Sequence, residues 1–203
     1  MAEAKLQETP TEAMIASLDM PQGGWAQAAR EDALARVRTM GLPQRRDEYW
    51  KFTRPDTLTQ AEPVPAAIFD HGDAPLFDDT ERLRIVFVDG VFDAEASDDL
   101  SLEGVSIDRL AAANSDLHWA RDLYGTLEKN GQTPVARPLA ALNTAYASDG
   151  VLIHVTDTPS KPINLVYHRK SETSDAMLHH VVKLDKGAEV TLLENGPAAA
   201  RFN

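Results

Sequence analysis

Apolar positions recur at two different periods along the chain, and the change falls near Gly150. Up to that point most apolar side chains return every three or four residues, as on one face of a helix. Beyond it they return every second residue, as on one face of a strand. The change is carried by residues 137–155. Pro138 suits the first turn of a helix, where its missing N–H costs nothing, and Leu139, Leu142 and Tyr146 mark one buried face. Ser148-Asp149-Gly150 ends that helix, because Ser and Asp compete for backbone hydrogen bonds and Gly150 permits positive φ. Val151 to Val155 follows as a strand, apolar on both faces except at His154, and such a strand is covered on both sides.

Ahead of this junction the pattern predicts a short helix over 11–20, capped by Thr11, with Met14, Ile15 and Leu18 on one face. Residues 1–10 are polar and read as a frayed terminus. Pro21-Gln22-Gly23-Gly24 breaks the chain before a second helix over 25–40, whose stripe includes Trp25, Ala29, Ala33, Val37 and Met40. Gly41 and Pro43 stop it, so the two helices read as an αα-hairpin. Residues 54–80 carry Pro55, Pro63, Pro65 and Pro75 and read as a connector with one short strand at 67–69. Residues 83–88 form a β-branched strand, and Asp89-Gly90 before Val91-Phe92 is a hairpin signal. Short strands at 100–102 and 105–107, a short helix over 107–114 and a longer one over 116–129 complete the front part, with Asp116 as cap of the last.

After the junction, apolar segments begin at 151, 163, 177 and 188 with Asp, Pro, Ser and Gly between them. Short strands at such spacing suit a sandwich, a barrel or a β-solenoid. A solenoid ending at Asn203 would leave its last coil uncapped, so the expectation is a fragment or a missing continuation.

Composition narrows the class. The chain has 203 residues, 43% of them hydrophobic, enough for one large domain or two small ones. With 20 basic and 32 acidic residues the formal charge is −12, which disfavours nucleic acid and anionic membrane and suits a solubilising surface. No run of about 18 apolar residues occurs, and Met1-Ala2-Glu3-Ala4-Lys5 lacks the basic and apolar blocks of a secretory signal. There is no cysteine, so disulfides and thiolate chemistry are excluded, and a cytoplasmic location is expected.

Candidate chemistry is sparse. No phosphate loop, dinucleotide fingerprint, nucleophile elbow or zinc helix motif occurs, and Gly23-Gly24 lacks the Lys and Ser/Thr of a nucleotide loop. Asp89 and Asp93 read as turn residues ahead of metal ligands. His118 and Asp122 share a predicted helix face but lack a third partner. His179 and His180 are adjacent in a predicted strand and point to opposite faces, so they do not ligate one metal together. The densest cluster of charge and aromatic side chains is Arg45, Arg46, Glu48, Tyr49, Trp50, Lys51 and Phe52. There Arg45 and Glu48 are spaced to pair, Trp50 and Phe52 to anchor in the core, and Arg46 and Lys51 to hold an anion. A structural clamp is the plainer reading. No catalytic, cofactor-binding or metal-binding residue is assigned.

The run Gly41-Leu42-Pro43-Gln44-Arg45-Arg46-Asp47-Glu48-Tyr49-Trp50-Lys51-Phe52-Thr53 resembles the SufB/SufD family of iron–sulfur cluster assembly proteins, its SufD branch in particular. That branch carries Gly-Leu-Pro-x-Arg-Lys-x-Glu-x-Trp-Lys-Tyr-Thr; here Arg46 replaces Lys and Phe52 replaces Tyr. Leu83 to Gly90, Ala140 to Ala145 with Ser148 to Val151, and Gly187-Ala188-Glu189-Val190 are similar to later family segments, in the same order. The resemblance implies an α+β chain: an N-terminal helical or mixed region, 1–136, then the first coils of a right-handed parallel β-helix, 137–203, with a C-terminal helical domain absent. It implies a non-catalytic scaffold subunit contacting SufB and the ATPase SufC, with an iron–sulfur cluster passing transiently through the assembled complex. The SufC site and the candidate cluster residues of the family lie in regions beyond Asn203, so no functional residue is carried over. The competing reading is a β-solenoid carbohydrate-binding or carbohydrate-acting module, against which the scarcity of acids on the later strands counts.

Overall fold

The structure is a computed structural model and describes residues 9–68, 76–112 and 118–202. Its helices are α1 (Pro10–Ala16), α2 (Gln27–Met40), α3 (Thr126–Asn130) and α4 (Pro138–Tyr146). Its strands are β1 (Leu83–Val88), β2 (Val91–Phe92), β3 (Val105–Arg109), β4 (Val151–Val155), β5 (Ile163–His168), β6 (Val181–Leu184) and β7 (Leu192–Asn195). One sheet has the order β2-β1-β5-β7 and the other β3-β4-β6. Parallel pairing joins β1 to β5, β5 to β7 and β4 to β6, while β2 and β3 pair antiparallel at the opposite edges.

The expected right-handed β-helix is not formed. The strands build two open mixed sheets, and neither closes or winds into a solenoid among the described residues. Each sheet takes its edge from a front-part strand running antiparallel to its neighbour, β2 on β1 and β3 on β4. The predicted strand over 177–184 shortens to β6, and that over 188–193 to β7, displaced toward Asn195. The solenoid required by the carbohydrate reading is therefore not formed either. Three of the main contacts, β1 with β5, β3 with β4 and α2 with α4, cross position 137.

The layers follow from which faces are apolar. Leu83, Ile85 and Phe87 of β1 meet Val151, Ile153 and Val155 of β4 and Leu165 and Tyr167 of β5 in one core between the sheets. Leu152 of β4 points the other way, into a core with Trp25, Ala26, Ala120, Tyr124 and Val181. So β4 is covered on both faces, as its sequence predicts. A third core joins Met14 and Ile15 of α1, Ala33 and Val37 of α2, and Ala141, Leu142 and Tyr146 of α4.

Local signals explain the ends of elements. Thr9, rather than Thr11, caps α1 by accepting the Glu12 N–H at 3.2 Å. Thr11 Oγ1 instead accepts the Leu42 N–H at 3.1 Å, tying α1 to the end of α2. Gly41 closes α2 at φ 72°. The predicted helix over 107–114 is overturned at its start, since Ile107 to Arg109 belong to β3. The predicted helix over 116–129 becomes a 3-10 turn, Trp119–Asp122, and the short α3, separated by Gly125 at φ 72°. Ala67 and Ile68 lie outside any strand. Residues 1–8, Phe69, 113–114 and Asp116, for which the sequence predicts a frayed terminus, a strand end, a helix end and a cap, lie outside the described residues.

Candidate functional site

A cavity of about 720 Å³ is walled by α4, the end of β5, the run before β6, and β7. Its apolar wall includes Leu139, Leu178 and Phe202. Its polar wall is a hydrogen-bonded chain of Tyr167, His180 and Glu194. Register explains the assembly: Leu165 of β5 faces Glu194 of β7, which places Tyr167, two residues further on, beside that carboxylate. Tyr167 donates to Glu194 Oε1 at 2.6 Å. His180 Nδ1 accepts the Val151 N–H at 3.0 Å. The neutral ring therefore carries its proton on Nε2, by assignment from the network, and donates it to Tyr167 Oη at 3.1 Å.

Electrostatics hold this chain in one protonation state. Burial, then the hydrogen bond to Glu194, pushes the Tyr167 phenol far above its usual range. Burial lowers the His180 imidazolium, against the opposing pull of Glu194 and Asp149. A neutral phenol and a neutral imidazole are therefore the resting forms at pH 7. Asn143 fixes the rim by donating to Leu178 O at 2.9 Å. Buried Asn164, behind it, takes Arg82 Nε on its carbonyl and donates to Asn195 Oδ1 at 2.8 Å.

The chain matches no protein-family model and no curated protein.

The sequence-derived candidates scatter. Asp89 is a turn residue: its Oδ1 accepts from the Lys170 and Ser171 N–H groups and from Ser174 Oγ. Partial burial acts against its charge, but those three donors outweigh it and hold the pKa below the usual range. Asp93 likewise accepts the Glu95 and Ala96 N–H groups. His118 turns away from Asp122, accepting the Ala120 N–H and lying 3.4 Å from Asp108. His179 and His180 do diverge, His179 packing on Tyr124 with ring centroids 4.3 Å apart. No group of three or more metal-ligating side chains converges among the described residues.

The 41–53 segment departs from the clamp reading. Of the two expected anchors, Phe52 is 94% exposed and does not reach the core, while Trp50 is half-buried; Tyr49 between them is 59% exposed. Arg45 and Glu48 do not pair, and Arg45, Arg46 and Lys51 make no ion pair among the described residues. Lys51 sits over the Phe52 ring at 5.5 Å and Arg137 near the Tyr49 ring at 5.8 Å. The segment is thus a surface of aromatic rings and of cations that make no ion pair among the described residues, on an acidic molecule. Glu194 and Tyr167 were missed as partners because their parallel register is a tertiary fact; only the alternation within each strand is visible beforehand.

Proposed function

We propose that the chain is a non-catalytic scaffold subunit in cytoplasmic iron–sulfur cluster assembly, acting through contacts with SufB and SufC-type partners. One observation carries the reading. In the run from Gly41 to Thr53, which resembles the SufD branch, the side chains of Arg45, Arg46, Tyr49, Lys51 and Phe52 lie open to solvent. Exposed Tyr49 and Phe52 beside exposed Arg45 and Arg46 are of the residue types enriched at protein contact surfaces. The iron–sulfur cluster belongs to the assembled complex and is handled there as cargo. No helix among the described residues is long and apolar enough to cross a membrane.

Co-expression with SufB and SufC tests the reading. The chain is expected to co-purify with them, and Tyr49→Ser with Phe52→Ser to reduce the retained fraction several-fold. Because both rings are exposed, the double variant should keep its stability to within about 0.5 kcal/mol per site. A chain that elutes alone from the co-expression removes the proposal.

A further inference from the structure

The cavity of about 720 Å³ walled by α4, β5 and β7 has no part in the scaffold reading. That volume suits a small-molecule site, in which a mostly apolar wall surrounds a few polar groups. Leu58, Leu139, Leu178 and Phe202 supply apolar wall here. Leu58 reaches it from the connector after the 41–53 segment, where the Gln60 carbonyl accepts from Arg201 Nη1.

Charge singles out Glu194. Among the described lining residues it alone is ionised at pH 7, because Tyr167 and His180 rest neutral. It makes no ion pair among the described residues. Tyr167 donates to its Oε1 at 2.6 Å, and no described residue donates to Oε2. An ionised carboxylate has about four lone-pair sites, so most of its accepting capacity is unused. Arg201, next to the lining Phe202, does not neutralise it. That guanidinium is 4% exposed and held by both oxygens of Asp175, at 2.7 and 2.6 Å. Glu194 itself is exposed, so a solute entering the cavity can reach it.

A second acceptor lies on the same wall. Asn143 gives its Nδ2 to Leu178 O at 2.9 Å, and its Oδ1 takes no donor among the described residues. That oxygen is not among the buried atoms lacking a partner, so it is open to solvent. Asn195 accepts from Asn164 through Oδ1, which leaves its Nδ2 as a neutral donor. Negative charge thus prevails in a cavity whose remaining surface is largely apolar.

We propose that this cavity binds a small organic amine, with a protonated nitrogen at Glu194 and an apolar body against Leu139, Leu178 and Phe202. Oε2 accepts the ammonium N–H, a charge-assisted hydrogen bond. Tyr167, itself fixed by His180, holds the carboxylate through Oε1. Asn143 Oδ1 takes a second donor where the ligand carries one. An anion finds no cation on the wall, and a neutral body of the same shape gains the apolar contact alone.

The test is calorimetric titration of the whole chain at pH 7.5 and fixed ionic strength with phenethylamine, 2-phenylethanol and phenylacetate, which share a body and differ in charge. Phenethylamine is expected to bind about fivefold or more tightly than 2-phenylethanol, the upper range for a solvent-accessible ion pair, and phenylacetate not to bind. Glu194→Gln keeps an acceptor for Tyr167, so Tm should hold while phenethylamine weakens to the level of the alcohol. Glu103→Gln removes the same charge from an exposed residue outside the cavity and should leave the affinity unchanged, which separates the site from general attraction to a chain of charge −12. Phenethylamine that fails to saturate the chain in the millimolar range overturns the proposal. So does an alcohol that binds equally well, an affinity unchanged in Glu194→Gln, or an equal loss in Glu103→Gln. Should Glu194→Gln fail to fold, the ratio of amine to alcohol affinity in the wild-type chain decides.

Discussion

At the scale of single residues, Gly150 shows a close backbone approach added to a positive φ of 156° as reasons for a glycine. A Cβ built there would stand 2.1 Å from His179 O and 2.6 Å from His179 C, both main-chain atoms that cannot swing aside. The chain before β6 runs directly against the chain before β4, where Asp149 O accepts the His179 N–H at 3.0 Å. Gly150→Ala must part these two segments, and we expect a loss on the order of 3 kcal/mol, the upper range for forced overpacking. Gly187 is the control: its φ is 89° but nothing lies within 4 Å, so Gly187→Ala should cost about 1 kcal/mol. Urea midpoints of the two variants check this, and equal losses would show that the His179 contact is not what demands glycine.

At the scale of elements, the junction from α4 to β4 is locked to β3 by a charge pair. Asp149 is buried and receives Arg109 through Nε at 3.1 Å and through Nη2, together with the N–H groups of Ala111 and Gly150. The Arg109 guanidinium also covers the Phe92 ring at 4.1 Å, so one side chain ties β3, the hairpin strand β2 and the junction. Replacing Asp149 by Asn leaves a half-buried guanidinium without its counter-charge, at a cost of about 3 kcal/mol. In a double-mutant cycle with Arg109→Met the two changes should couple by at least about 1 kcal/mol, and strict additivity would dissolve the lock. The same elements show what a sequence can and cannot reveal. Strands β1, β4 and β5, the Asp89-Gly90 turn and α4 are written in local alternation and in Pro, Asp and Gly punctuation, and they stand where those signals put them. The run 177–180 is apolar enough to read as strand, yet its backbone bonds reach singly to Ser148 and Asp149, so β6 starts only at Val181. The winding of the sheets and the meeting of Tyr167 with Glu194 depend on which strands pair, and alternation within a strand carries no record of that.

At the scale of the whole molecule, the helical layer is joined to the sheets through a neutral histidine, and this sets how the fold responds to acid. His179 lies against Tyr124 and has Arg30 and His180 as neighbours. Burial first, then repulsion from His180 on protonation and from the Arg30 guanidinium, pushes its pKa down from 6.5 to about 4. The folded state therefore refuses a proton that the unfolded chain accepts between these values, so stability is complete above pH 6.5 and falls as pH drops toward 4. One group shifted this far is worth on the order of 2–3 kcal/mol between pH 7.5 and pH 4.5. His180, also lowered by burial, adds with the same sign. The lowered carboxylates act in a different window. For Asp32, Asp89 and Asp98 burial opposes ionisation but is outweighed by hydrogen bonds and neighbouring cations. Their contribution is intact above about pH 4 and disappears only below it. The two windows allow a clean measurement. Urea unfolding at pH 7.5 and pH 4.5 should show the wild-type chain losing several kcal/mol, while His179→Phe, which keeps a ring against Tyr124 and takes no proton, should lose about 2–3 kcal/mol less. An identical pH slope in the variant would mean that the buried imidazole does not govern the acid limb, and that the carboxylates titrate higher than their partners imply.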